Sequence, residues 1–90
     1  MKKNLHIRVD GEMGGTLFRQ EARQQAERLG LFGYVQYEPD GTLHIEAEGD
    51  PDQLEKLQQW CHQGPEGTRV SAVRTEDGSP QGFDRFLERR

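Results

Sequence analysis

Residues 11 to 19 combine the side-chain types that bind an oxyanion. Gly11, Gly14 and Gly15 punctuate the stretch Gly11-Glu12-Met13-Gly14-Gly15-Thr16, and Arg19 stands three residues beyond Thr16. A glycine-rich turn lets successive backbone N–H groups converge on one point. A helix starting just after the turn adds the positive end of its dipole. Arg19 adds a planar fork of donors that grips two oxygens at once. The chemistry implied is a cradle for a phosphate-sized anion. Glu12 opposes it with a negative charge in the same loop, and on spacing alone a tight turn beside a surface arginine is the simpler reading.

Three other groupings carry less. His6 and His44 fall on segments expected to be neighbouring strands, and with Glu46 they have the types of a metal site. No spacing demands one, so a solvated polar sheet face is expected and no metal is assigned. Cys61 and His62 are adjacent, and on a helix neighbouring side chains diverge, so Cys61 is expected in the core rather than as a nucleophile. Aromatic residues do not recur in a pattern that would stack bases on an open sheet. The balance of 12 Lys and Arg against 16 Asp and Glu, a net charge of -4, also lacks the basic surface of a nucleic-acid binder.

The elements that must position the loop and Arg19 follow from periodicity. Leu5, Ile7 and Val9 alternate with His6, Arg8 and Asp10, which predicts a strand over 4–10. Phe18, Ala22, Ala26 and Leu29 recur at helical spacing before Gly30, which predicts a helix over 17–29. Tyr34, Val35 and Tyr37 predict a second strand, and Leu43, Ile45 and Ala47 a third. Pro39-Asp40-Gly41 makes the turn of a hairpin between them. Asp50 as N-cap, Pro51 at the first helical position and Gln53 in a box-like pattern open a second helix. Its apolar stripe is Leu54, Leu57, Trp60 and Cys61, and Gly64-Pro65 ends it. Val70, Ala72 and Val73 predict a fourth strand, bulged because their spacing is not strictly two. Phe83 and Phe86 predict a short final strand.

This order is the split βαβ plan of a ferredoxin-like α+β sandwich. It implies an antiparallel sheet with both helices on one face, since each helix has a single apolar stripe. The opposite face then carries His6, Arg8, His44, Glu46 and Glu48.

Composition bounds the rest. Only 31% of the 90 residues are hydrophobic, with a mean hydropathy of -1.01, yet the apolar residues fall in periodic blocks. One small domain over 1–90 is expected, because half this length could not bury a core. No apolar run approaches the ~18 residues of a membrane span, and Met1-Lys2-Lys3 leads into a strand rather than a leader. Cys61 is the only cysteine, so no intramolecular disulfide is possible and a reducing, cytoplasmic setting is expected. A monomer is expected.

With these residues in place, the chain resembles the acylphosphatases. Their signature reads roughly Gly-x-Val-Gln-Gly-Val-x-Phe-Arg, then a helix, then Leu-Gly-Leu-x-Gly-Trp-Val-x-Asn. Gly11 to Arg19 occupies the first part here. Leu29-Gly30-Leu31-Phe32-Gly33-Tyr34-Val35-Gln36-Tyr37 occupies the second without gaps. Asp40-Gly41, Glu48-Gly49 and Gly64-Pro65 also fall where the family has matching pairs, so the resemblance covers residues 5–75. It implies the ferredoxin-like fold and hydrolysis of acyl phosphates, or binding of inorganic phosphate or sulfate, with no metal or cofactor. It implies that Arg19 and the backbone of Gly11, Glu12, Met13, Gly14, Gly15 and Thr16 hold the phosphoryl group.

The family's Asn, which orients the attacking water, is matched here by Tyr37. The family's loop Gln is matched by Gly14 and its second Val by Thr16. The only Asn is Asn4, in the first strand, and strand alternation turns Gln36 to the other face from Tyr37. Weak or lost turnover is the expectation. The alternative is a non-catalytic anion-binding or protein-interaction module on the same fold.

Overall fold

The computed structural model describes residues 2–14 and 16–90, so Gly15 of the candidate loop lies outside the described residues. The chain forms β1 (Lys3–Glu12), α1 (Phe18–Arg28), β2 (Phe32–Tyr37), β3 (Leu43–Gly49), α2 (Pro51–Gln63), β4 (Arg69–Gly78) and β5 (Phe86–Glu88). The strands make one sheet in the order β4-β1-β3-β2-β5. Ile7, Val9, Val35, Leu43, Ile45 and Ala47 are fully buried, together with Phe18, Ala22 and Ala26 of α1 and Leu54, Leu57 and Cys61 of α2. Strand alternation and two single helical stripes therefore meet in one core, as the ferredoxin-like plan requires.

Local chemistry explains the element ends. Asp50 accepts from the Asp52 N–H at 2.9 Å and Pro51 opens α2, as a cap-and-proline start requires. The box-like pattern does not close: the Gln53 Oε1 is buried with no hydrogen-bond partner. α1 is different, because Leu17 stands at its N-cap and offers no side-chain acceptor to the first turn. Phe18 anchors that end instead. Its ring is fully buried, edge-on to Trp60 with centroids 5.2 Å apart. Gly64, at φ 64°, lies so close that a Cβ there would come within 2.6 Å of the Phe18 ring.

Four expectations change. β1–β3, β2–β3 and β1–β4 are antiparallel, but β5 pairs with β2 in parallel, so the sheet is mixed. Phe83 is not in β5: it lies before the strand and packs edge-on to Tyr34, centroids 6.0 Å apart. Gly11 and Glu12 belong to β1 rather than to the loop, because β4 continues pairing to them beyond the irregularity at Asp10. Asp10 faces Ala72 and Gly11 faces Val70, leaving Ser71 as the extra residue of the expected bulge.

The fourth change is the far sheet face, which is solvated only in part: Arg8 is exposed and His6 half-buried. His44, Glu46 and Glu48 are buried there, Glu48 to 1% exposure, with Asn4 fully buried beside them. The segment from Gln81 to Phe83 covers this end of the face, and its backbone N–H groups donate to the Glu48 carboxylate.

Candidate active site

Arg19 is the second residue of α1, one position after the buried Phe18, so the helical turn sends its side chain outward from the core. Tyr37 ends β2 opposite Leu43 and packs half-buried against the core. The two side chains come together, with the Arg19 guanidinium carbon 5.5 Å from the Tyr37 ring centroid. Arg19 Nη1 also donates to the Arg89 carbonyl at 3.1 Å. A guanidinium carries five N–H donors, and the bond to Arg89 uses one of them.

The loop completes the arrangement. The Met13 carbonyl accepts from the Thr16 N–H at 3.2 Å and from the Thr16 Oγ1 at 2.6 Å, which closes a tight turn between β1 and α1. Met13 itself is a core residue at 4% exposure, so only its backbone is available to a ligand, whereas Glu12 and Gly14 are exposed. Tyr37 forms a wall shared by two hollows. A small one of about 130 Å³ is lined by Thr16, Leu17, Arg19, Gln20, Tyr37 and Glu88. A larger groove of about 650 Å³ runs along Gly11 to Gly14, Thr16, Tyr37 and Gly41. Glu88 beside Arg19 was missed by sequence reasoning; its carboxylate accepts from Arg23 Nε at 2.7 Å. No spacing signal marks it, since it reaches α1 only through the parallel pairing of β5.

Neither amide near Tyr37 in sequence or type takes its place. Gln36 pairs with His44 and lies on the far face. Asn4 lies opposite Glu48, five residues along β3 from the Leu43 that faces Tyr37, or about 17 Å. Its Nδ2 donates to Glu46 and Glu48, both at 2.9 Å.

His6 and His44 are in contact, on neighbouring strands as expected. His6 Nδ1 and His44 Nε2 are 3.0 Å apart with stacked rings. His44 Nδ1 lies 3.2 Å from Glu38 Oε1, near enough for an ion pair but too poorly aligned for a hydrogen bond, so that nitrogen has no hydrogen-bond partner. Burial, with Arg8 and His6 adding to it, pushes the His44 pKa below its ordinary value against the pull of Glu38. Among the described residues no group of three or more His, Cys, Asp or Glu is arranged to hold a metal. Cys61 is buried and free, and burial pushes its thiol up to about 12, which makes it a packing residue.

The loop, the arginine at the helix start and residue 37 thus gather at one end of the sheet. The acylphosphatase family model matches residues 5–87. The chain belongs to the acylphosphatase family. It is 40% identical over 86 residues to an acylphosphatase of Nocardioides sp. (strain ATCC BAA-499 / JS614), covering 96% of this chain and 87% of that protein. It is 40% identical to an acylphosphatase of Thermococcus kodakarensis, covering 90% and 89%. Among solved structures, an acylphosphatase from Coxiella burnetii superposes with a TM-score of 0.94 at 31% identity, covering 98% of this chain and 93% of the other. Within the described residues no helix is long and apolar enough to cross a membrane.

Proposed function

We propose that this acylphosphatase-family chain binds the phosphoryl group of a small acyl phosphate at residues 11–16, where β1 ends and the loop to α1 begins, and at Arg19, and that its turnover is weak because Tyr37 stands where the family resemblance places a water-orienting Asn. The observation that carries this reading is the Arg19–Tyr37 contact at the uncapped start of α1. The N–H groups ahead of Glu21 have no intrahelical partner and the Leu17 side chain supplies none, so a bound oxyanion is their natural acceptor. Arg19, held by Tyr37 and the Arg89 carbonyl, is preorganised to grip it.

The chemistry at residue 37 is what differs. An amide offers an acceptor oxygen and two donors on one short group, whereas a phenol has a single hydroxyl at the end of a longer arm. A tyrosine therefore holds a water in a different place, and losing one oriented polar group in a catalytic site costs about 10²–10³ in rate. Binding is separable from this loss, because the loop and Arg19 do not depend on the amide. We further propose a cytoplasmic setting, which the single free cysteine supports, and a monomer.

Titrating phosphate while following backbone amide resonances tests the binding half. Shifts should concentrate in residues 11–19 at millimolar anion and vanish in Arg19→Ala. No shifts there would reject the site. Hydrolysis of benzoyl phosphate tests the second half: fast turnover that depends on Arg19 would show that Tyr37 is no impediment.

A further inference from the structure

We propose that Glu48 is a positioning residue for Arg19, acting through the segment 81–89. Glu48 lies at the end of β3, far from the loop, yet it is the anchor of the chain that returns to the site. Its Oε1 accepts from the N–H groups of Gly82 at 3.0 Å and Phe83 at 3.3 Å, and its Oε2 from the Gln81 N–H. Asn4 Nδ2 holds the same carboxylate from the other side at 2.9 Å. The Arg85 carbonyl then accepts from the Gly33 N–H, and the Arg89 N–H donates to the Val35 carbonyl, each at 2.8 Å. The next carbonyl, that of Arg89, receives Arg19.

The physical reason for such an anchor is register. β5 pairs with β2 over three residues only, Phe86 to Glu88 against Gly33 to Val35. A strand that short fixes its own register weakly, and a slip of one residue exchanges the two faces. The slip would turn Phe86 out of the core and Leu87 into it. It would also move Glu88 away from Arg23, which it meets at 2.7 Å, and remove the carbonyl from Arg19. Three convergent backbone donors on one buried carboxylate set where the strand begins. Phe83 against Tyr34, and the Arg89 guanidinium 3.8 Å from the centre of the same ring, fill the space beneath. Glu48 touches no part of the site itself, so its influence is entirely through this path.

The test compares wild type with Glu48→Gln, which keeps the shape but offers an amide where two N–H groups need acceptors. Gly82→Ala serves as a milder variant: Gly82 has φ 80° with open space around a Cβ, so the strain falls on the same anchor without disturbing a buried charge. Three readouts are taken: hydrogen exchange of the Gly33 and Arg89 amides, the Arg19 Nε–H signal, and the phosphate dissociation constant. In both variants the two amides should lose protection, Arg19 should lose order, and phosphate should bind about three- to tenfold more weakly, the range carried by one hydrogen bond. The double variant should be no weaker than Glu48→Gln alone.

Unchanged Arg19 order in a folded variant whose 81–83 amides have shifted would overturn the proposal. If Glu48→Gln does not fold, the same comparison on Gly82→Ala decides. The phosphate readout rests on the function proposed above. If wild type binds no phosphate, that reading fails, while the Arg19 signal still settles the role of Glu48.

Discussion

Arg19 and Tyr37 are eighteen residues apart in the chain, and their side chains meet with the guanidinium carbon 5.5 Å from the ring centre. The helix start supplies one partner and the end of a strand the other, so the contact exists only because α1 packs across β2. A cation over an aromatic face gains about 0.5–1 kcal/mol at an accessible site. The ring therefore restrains the arginine in addition to any part it plays in chemistry. Tyr37→Phe should leave phosphate affinity within about twofold of wild type, and Tyr37→Ala should weaken it about two- to fivefold. Amide-shift titrations of the three proteins check this. Equal affinity in Tyr37→Ala would mean that the Arg89 carbonyl alone holds the guanidinium.

Acid should lower the stability of the protein in two pH ranges. Burial lowers the His44 pKa from its ordinary 6.5, so the unfolded chain binds more protons just below that pH and the native state loses stability as the pH falls through it. Burial alone would raise the Glu48 carboxyl. The hydrogen bonds from Gln81, Asn4, Gly82 and Phe83 outweigh it and hold the group below its ordinary 4.5. Its contribution is thus complete above 4.5 and lost as the pH drops through the lower folded value. Denaturant midpoints measured from pH 8 to pH 3 should fall in both ranges. His44→Gln should flatten the upper part and Glu48→Gln the lower. A wild-type midpoint that rises between pH 7 and pH 5 would contradict the assignment to His44.

Gly33 is a position where the sheet admits no side chain. Its φ is 142°, and a Cβ would collide with the backbone carbonyl oxygen of Glu46 on β3. Its N–H also donates to the Arg85 carbonyl at 2.8 Å, so the strand cannot shift without disturbing the approach to β5. Gly33→Ala should destabilise by about 2–3 kcal/mol through backbone strain, well above the typical ~1 kcal/mol of a point change. Urea unfolding would show it as a lower midpoint with an unchanged slope.

Much of this architecture was legible because burial follows period. Leu5, Ile7 and Val9, or Leu43, Ile45 and Ala47, announce a strand face, and Asp50-Pro51 announces a helix start with its cap. Arg19 was legible as a candidate because the glycines precede it at the start of a helical pattern. What alternation cannot reveal is what covers the far face. Glu46 and Glu48 read as solvated because charges on a strand usually are. The burial of Glu48 involves a segment more than thirty residues later, whose turn-rich sequence gives no sign that it folds back onto this carboxylate. The parallel direction of β5 was hidden for the same reason, since three residues carry too short a pattern to show an orientation.

Residue 37 offers the decisive test of the chemistry. The sequence resemblance places the family's Asn there, and Tyr37 stands between the hollow at Arg19 and the groove along the loop. If the phosphoryl group is held by Arg19 and the loop, that binding accelerates hydrolysis only so far as it strengthens in the transition state. The step proposed to be missing is placing a water in line, an orientation effect of several kcal/mol at best. Each ~1.4 kcal/mol recovered is tenfold in rate, so Tyr37→Asn should hydrolyse benzoyl phosphate about ten- to a hundredfold faster than wild type. The gain is bounded from two sides. Tyr37→Asn gives up the ring that restrains Arg19, which raises KM, and Glu12 remains exposed at the loop to repel a dianion. The expected signature is therefore a rise in kcat with a smaller rise in KM, abolished in Tyr37→Asn/Arg19→Ala. A folded, phosphate-binding Tyr37→Asn protein no faster than wild type would show that the lesion lies elsewhere, with Gly14 in place of the family's Gln as the next position to restore.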